Sequence, residues 1–128
     1  MIVVRGKVWG NTSTIFNKFN TKIARIEVHK GGYCSNHKHA NNFNMFFVET
    51  GKLKITIYRN DAGMIIEDIT ILGPCGMTYV EPTLLHSFEA LEDTVAYEIY
   101  WVEMNDDDIH RETAGGMKNA GDGVCVQS

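Results

Sequence analysis

Three histidines are the residues of this sequence best suited to chemistry. His37 and His39 stand two positions apart, and His86 follows the turn-like run Gly73–Gly76. Side chains alternate between the two faces of an extended segment, so His37 and His39 point to the same side and reach one ion together. Neutral imidazole is the commonest protein ligand for first-row divalent metals, and three ligands leave positions open for substrate. The pattern predicts one divalent transition metal, with zinc, manganese, iron and nickel all open.

The alternative is an accidental cluster, which is the ordinary explanation of a lone histidine. Cys34 lies three residues before His37, but its opposite strand parity favours a plain thiol over a fourth ligand. The sequence holds 3 cysteines and no CxxC pair, which argues against a disulfide framework. This usage fits a reducing compartment, and we predict a cytoplasmic protein.

Composition limits the classes of function. The chain has 128 residues, 44% of them hydrophobic and 22% charged, which is ordinary for one globular domain with a single core. Its net charge of −4 argues against partners such as nucleic acid or an anionic membrane, because both need a basic surface. The apolar runs are too short to cross a bilayer, and Met1–Arg5 lacks the pattern of a signal peptide. A small-molecule substrate is the predicted partner.

The elements that must position the histidines have a period of two. Lys52–Tyr58 and Ala24–His29 alternate apolar and polar residues, and no window of eleven residues carries a helical stripe. Asn60–Gly63, between two apolar runs, predicts a hairpin. Further strands are predicted at Ile2–Val8, Thr14–Phe19, Phe43–Thr50, Ile65–Ile71, Met77–Val80, Leu85–Ala90 and Thr94–Glu103. The fold class is therefore all-β, a sandwich or small barrel that can enclose one ligand.

The domain organisation is simple. We predict a barrel over residues 1–112 and a glycine-rich, partly disordered tail over residues 113–128. The apolar stretch Ile2–Val4 lies on a predicted edge strand, and exposed edges of this kind need cover. A homodimer is the predicted assembly.

The spacing of glycines and histidines resembles the first motif of the cupin superfamily. The matching positions are Gly31, His37, His39 and Gly51, while Asn44 stands where the family has a glutamate. Gly76–Phe88 resembles the second motif more loosely and contributes His86. The resemblance implies a double-stranded β-helix, the jelly-roll barrel of cupins, with an internal metal site. It also implies His37, His39, His86 and the Asn44 position as metal ligands.

A narrower resemblance is to type II mannose-6-phosphate isomerases, which are also cupins. Tyr100–Met104 and Asp107–Glu112 look like the end of that domain, and Trp9–Gly10 and Arg25–Val28 look like its start. The resemblance implies an enzyme that interconverts an aldose and a ketose phosphosugar. It gives Arg111 a catalytic role in gripping phosphate or stabilising an enediolate. Pairing of Arg111 with the acidic run 106–108 is the open alternative.

The general base is not fixed by the sequence. Glu98 and Glu27 lie on predicted strands with apolar neighbours, and either is a catalytic candidate if its face turns inward. Glu49 has the opposite parity from Asn44 and is expected to point outward. The amide of Asn44 leaves a neutral ligand set, either as a weak oxygen donor or as a hydrogen-bonding neighbour.

Two other functions stay open. A three-histidine cupin can also hold one Fe²⁺ as a dioxygenase, which needs no extra acid–base residue. The barrel can instead bind or sense a sugar without turnover. In that case the pocket would draw on aromatic rings, for which the candidates are His29, Tyr33, Tyr79 and Trp101.

Overall fold

The computed structural model describes residues 3–103 and 111–118, and all its regular elements are β-strands. The nine strands are β1 Val3–Lys7, β2 Gly10–Lys18, β3 Thr21–Val28, β4 Phe43–Thr50, β5 Leu53–Asp61, β6 Met64–Leu72, β7 Met77–Val80, β8 Leu85–Ala90 and β9 Thr94–Trp101. The all-β prediction is confirmed, and β4, β7 and β8 have the predicted bounds. No helix capable of spanning a membrane occurs in the described part of the chain.

The strands form two antiparallel sheets that face each other. The larger sheet has the order β1-β2-β3-β9-β4-β7, and the smaller has the order β6-β5-β8. Their inner faces supply one hydrophobic core, with Ile26, Phe46 and Val48 from the larger sheet and Leu53 and Ile55 from the smaller, all fully buried. Burying side chains of this size contributes roughly 1.5–3 kcal/mol each.

The predicted hairpin at Asn60–Gly63 is present. Asp61 pairs with Met64, so Ala62 and Gly63 alone make the turn between β5 and β6. Both have positive φ, 51° and 85°, which matches the backbone of a two-residue turn between twisted strands. The backbone N–H of Gly63 donates to Oδ1 of Asn60 at 3.0 Å, closing the turn.

Gly51 joins β4 to β5 at a point where no other residue fits. Its φ is 93°, and a Cβ there would lie 2.3 Å from the backbone oxygen of Asp93. The glycine therefore allows the β4–β5 turn to press against the connection between β8 and β9. The two sheets are thus in close contact at this end of the barrel.

Several strand boundaries differ from the sequence-based expectation. β2 begins at Gly10 rather than Thr14, because the polar run Asn11–Ser13 pairs with both β1 and β3. Such pairing overrides weak strand propensity. β9 ends at Trp101 instead of Glu103. The division at residue 112 stays a prediction, since residues 119–128 lie outside the described part of the chain.

The edges of both sheets carry exposed apolar side chains. β6 is an edge strand, and its Ile65 and Ile71 are 75% and 56% exposed. β1, the predicted edge, is at the margin of the larger sheet, with Val4 63% exposed. The homodimer stays a prediction.

Candidate metal centre and adjoining cavity

The three histidines come together between the two sheets. His37 lies in the loop between β3 and β4 and forms an isolated antiparallel bridge with His86 of β8. The two residues exchange both backbone hydrogen bonds, at 3.0 and 2.9 Å. With His39 they form a group whose ligand nitrogens all lie within 4.8 Å of one another. The main chain, rather than side-chain packing alone, therefore sets the separation of two of the three rings.

Backbone carbonyls orient two of these rings. Nδ1 of His37 lies 2.8 Å from the carbonyl oxygen of Ser35, and Nδ1 of His86 lies 2.9 Å from that of Leu84. A carbonyl can only accept, so each Nδ1 carries the proton and each Nε2 keeps its lone pair. This is the hydrogen bond that orients a metal-bound imidazole in proteins.

Two buried polar atoms in the cluster have no protein partner. They are Nε2 of His39 and Oδ1 of Asn44. Asn44 is fully buried on β4, and its Nδ2 lies 3.5 Å from Nε2 of His86, at the limit of a hydrogen bond. Burying such atoms without a partner costs free energy. A cation held by this group would give Nε2 of His39 a partner, and three imidazoles fit a first-row divalent metal. Asn44 presents its Nδ2, and not its Oδ1, to His86.

Burial lowers the pKa of two of the imidazoles, His39 and His86, and so favours their neutral form. Loss of hydration lowers the pKa of His86 to about 4, against a weaker opposing effect of the Leu84 carbonyl. Loss of hydration also lowers the pKa of His39, helped by the positive charge on His37. Only the neutral ring can donate to a metal, so these rings need lose no proton near pH 7.

Glu98 and Tyr100 face the histidines from the larger sheet. On β9 they lie directly opposite Phe46 and Asn44 of β4, and partners of this kind share a face of the sheet. The hydroxyl of Tyr100 donates to Oε2 of Glu98 at 2.7 Å. Burial raises the pKa of Glu98, while this hydrogen bond and the charge on His37 oppose the rise. Burial and the charge of Glu98 together raise the pKa of Tyr100, so the phenol stays protonated.

A cavity of about 580 Å³ opens onto this group. That volume suits a small ligand. His37, Cys34, Glu98 and Tyr100 lie in its wall, and the remaining lining residues are Arg5, Lys7, Trp9, Thr12, Thr14, Asn17, Lys22, Ala24, Ser35 and Phe88. A second depression of about 410 Å³ includes His39 and shares Lys22 and Tyr100 with the first.

The predicted acidic candidates separate clearly by position. Glu98 is inside, with 8% of its surface exposed. Glu27 is exposed on the outer face of β3 and pairs with Arg25. Glu49 is also exposed, as its parity predicted. Arg111 is exposed and is not a lining residue of the cavity. The acidic run 106–108, its alternative partner in the sequence-based prediction, lies outside the described residues.

Cys34 lines the cavity as a thiol. Its Sγ accepts a hydrogen bond from the backbone N–H of Phe88 at 3.2 Å, and burial raises its pKa to about 11. A thiol that keeps its proton is a poor metal ligand. Cys34 is not part of the three-histidine group, as predicted, but the parity argument was wrong because Cys34 and His37 line the same cavity.

The four aromatic residues proposed from the sequence as pocket lining do not line this cavity. Tyr33 and Tyr79 are 72% and 51% exposed. Trp101 stacks on Phe43 with ring centroids 5.3 Å apart, and it borders the second depression. Tyr100 and the three cationic residues of the cavity, Arg5, Lys7 and Lys22, were not predicted from the sequence. Alternation on β3 offered one signal, because Lys22 has the parity of the buried Ala24.

Comparison with solved structures identifies the architecture. KdgF from Halomonas sp. superimposes with a TM-score of 0.64 at 13% identity, over 82% of this chain and 90% of that one. A cupin superfamily protein from Desulfitobacterium hafniense gives 0.59 at 11% identity, over 80% and 79%. Oxalate decarboxylase from Bacillus subtilis, a protein with Mn(II) centres, gives 0.68 at 17% identity over 84% and 29%. This chain therefore spans less than a third of that enzyme.

These similarities are structural. No protein-family model matches the sequence, and no curated protein matches it. The structural neighbours confirm the predicted cupin fold, the jelly-roll β-barrel, for the described residues.

Proposed function

We propose that this protein is a metal-dependent enzyme that isomerises a phosphosugar between its aldose and ketose forms. One observation carries the proposal: a histidine of the metal-capable group, His37, and a buried carboxylate, Glu98, line the same cavity. Aldose–ketose interconversion needs a cation at the oxygens of the substrate and a base at its carbons. The cavity offers both within a space suited to a small sugar.

The metal site supports this chemistry. A divalent transition metal held by the three imidazoles would polarise the carbonyl and hydroxyl oxygens of an open-chain sugar. Imidazole is a neutral donor, so the three-histidine set would add no negative charge to the ion. Asn44 Oδ1 would join this set only after the amide turned, because Nδ2 faces His86. Manganese is a reasonable first choice, because the structural neighbour from B. subtilis has Mn(II) centres.

Glu98 is the proposed general base. It takes the proton from C2 of the aldose, and the C2–H electron pair forms the C1=C2 double bond while the π pair of the C1 carbonyl moves to O1. The hydroxyl proton on O2 then moves to O1. As O2 forms the carbonyl at C2, the C1=C2 pair takes the proton back from Glu98 at C1, giving the ketose with no net gain or loss of atoms. The raised pKa of Glu98 brings its basicity closer to neutral pH, where general bases are most effective.

Tyr100 is a positioning residue. Its hydroxyl donates to Oε2 of Glu98 at 2.7 Å, so it fixes the position of that carboxylate oxygen. The ring of Tyr100 also lies 5.4 Å from that of His39, edge to face. Tyr100→Phe would therefore slow turnover without removing the base.

Metal uptake is the first test. Protein freed of metal by chelation is equilibrated with Mn²⁺, Fe²⁺, Ni²⁺ or Zn²⁺, and bound metal is measured by mass spectrometry. We expect one ion per chain, with affinity at least about 100-fold weaker in His86→Gln. His29→Gln is the matched control, because His29 is exposed and outside the cluster. Equal uptake by the wild type and His86→Gln would exclude the site.

Proton exchange tests the reaction. Mannose 6-phosphate and fructose 6-phosphate are incubated in D₂O with the metal-loaded protein, and NMR follows loss of the C1 and C2 proton signals. We expect exchange in the wild type and a loss of roughly 10²- to 10⁴-fold in Glu98→Gln. Glu27→Gln should leave the exchange rate unchanged, because Glu27 faces away from the cavity. No exchange by fully loaded wild type would reject the isomerase.

A mononuclear iron dioxygenase is the second candidate. The observation that favours it is the buried amide of Asn44 in place of a carboxylate, which leaves a three-histidine set. Oxygen consumption by the Fe²⁺-loaded protein on a panel of diketones and thiols, together with silence in the proton-exchange assay, would select this function. Bound sugar that raises the melting temperature and is recovered unchanged would instead select a binding protein.

A further inference from the structure

Three cationic side chains line the outer part of the cavity. Arg5 and Lys7 come from β1 and Lys22 comes from β3, and all three are exposed. His37 and the buried Glu98 line the same cavity. The cavity therefore combines a histidine of the metal-capable group and a buried carboxylate with three exposed positive charges.

Strand register places these charges on the inner face. Arg5 is the direct partner of Thr12, which in turn pairs with the fully buried Ile26. Lys22 pairs with Tyr100 in the same sheet. Directly paired residues share a face, so both cations stand on the side of the sheet that carries the core and the site.

None of these three side chains forms a salt bridge in the described part of the chain, and the charge of Lys22 opposes the rise in the pKa of the buried Glu98. The ion pairs there use Arg25, Lys52, Lys54 and Arg59 instead. The chain as a whole is acidic, with a net charge of −4, so a cluster of cations in its cavity is not a general property of its surface. Nζ of Lys22 lies 5.9 Å from the centroid of the Tyr100 ring, which holds the ammonium beside the cavity wall.

We propose that Arg5, Lys7 and Lys22 bind the phosphate monoester of the substrate while its hydroxycarbonyl end faces the histidines and Glu98, an orientation that rests on the proposed function. Three cations match a dianionic phosphate better than a singly charged carboxylate. A guanidinium binds phosphate oxygens in a forked geometry, and lysine adds point charge. This assigns phosphate recognition to the start of the chain rather than to the exposed Arg111.

Calorimetry with paired ligands tests the assignment. Mannose 6-phosphate and mannose are titrated into metal-loaded wild type, Arg5→Gln, Lys22→Gln and Lys30→Gln. Lys30 is the control, because it follows β3 at its opposite end and is not a lining residue of the cavity. We expect Arg5→Gln and Lys22→Gln each to weaken mannose 6-phosphate binding about 10-fold or more, with mannose binding and metal uptake unchanged. Lys30→Gln should bind like the wild type.

Specific outcomes overturn the assignment. Mannose 6-phosphate that binds no more tightly than mannose, or equally to all four proteins, contradicts it. Glucuronate that binds more tightly than mannose 6-phosphate identifies a carboxylate site instead. Normal metal uptake shows that a variant has folded. Charge-dependent binding without proton exchange rejects the proposed isomerase alone, and proton exchange with charge-independent binding rejects the phosphate site alone.

Discussion

The two ends of the barrel are built from the same strands but carry opposite chemistry. The core end, near the Gly51 turn, is lined by the buried apolar residues Val28, Val48, Leu53, Ala90 and Ala96. The site end is lined, on the same strands or their neighbours, by Lys22, Asn44, His86, Glu98 and Tyr100. On β4, β8 and β9 the inner face changes from apolar to polar within two or three inward positions.

The contrast between the two ends explains how a small barrel stays folded with a site that lowers its stability. Buried polar groups without partners destabilise a fold, and Asn44 Oδ1 and His39 Nε2 are two such atoms. The core end supplies the burial that offsets this cost, and it also fixes the strand register on which the site depends. The site end is therefore expected to tolerate substitution thermodynamically, while the core end is not.

The largest expected effect is at the core end. Leu53→Ala removes a fully buried side chain from the core, so the free energy of unfolding should fall by about 3–5 kcal/mol in chemical denaturation. Ile65→Ala, at a position 75% exposed, should change it by about 0.5 kcal/mol or less. Similar losses in both variants would mean that the outer face of β6 is covered.

The second effect is a pH dependence at the site end. In the metal-free protein, His86 has a folded pKa of about 4, below its ordinary value of 6.5, because it is buried. Between these values the unfolded chain binds more protons than the native state, so His86 stabilises the fold above pH 6.5 and this stability is lost as the pH falls towards 4.

The measurement compares metal-free wild type with His86→Gln in denaturation curves from pH 7 to pH 4. The wild type should lose about 2–3 kcal/mol relative to the variant over this range. Subtracting the two curves removes the titration of groups that both proteins share. Parallel curves would show that His86 is not desolvated.

A smaller effect of opposite sign is expected at Glu98. Burial raises its folded pKa above 4.5, so the native state binds more protons than the unfolded chain and stability falls as the pH rises above 4.5. Glu98→Gln removes this penalty. At pH 8 the variant should be as stable as the wild type or about 1 kcal/mol more stable, although it loses proton exchange. A large loss of stability would make Glu98 a structural residue.

The smallest effect is at an exposed ion pair of the smaller sheet. Arg59 and Asp68 form an ion pair at 2.8 Å between β5 and β6, with both side chains more than 40% exposed. Asp68→Asn should lower the free energy of unfolding by about 0.5 kcal/mol or less, and raised salt should reduce the difference. A salt-independent loss above that value would contradict a surface pair.

Most of the fold was predictable because its signals are local. The Asn60–Gly63 turn and the alternation along β4 and β5 lie within short windows of sequence, and the structure has these elements as predicted. The β3–β4 loop was harder to interpret. It contains His37 and His39 and forms no strand, although two isolated bridges and several backbone hydrogen bonds tie its residues 31–37 to β8.

The orientation of the side chains on β9 could not be predicted from the local alternation of apolar and polar residues. The residues that point outward there are Val95, Tyr97, Ile99 and Trp101, and they are more apolar than the inward set of Thr94, Ala96, Glu98 and Tyr100. Alternation alone therefore places Glu98 outside. Its true orientation follows from the register with β3 and β4, and a shift of one residue would reverse it.

The sequence by itself determined the all-β architecture, its main turns and the fact that His37 and His39 reach the same site. Side-chain alternation and turn chemistry act over only a few residues. Only the tertiary structure decided that Glu98 faces the histidines and that Arg5 and Lys22 share their cavity. Those residues are brought together by the hydrogen-bond register of four strands, and register is a property of the assembled sheet.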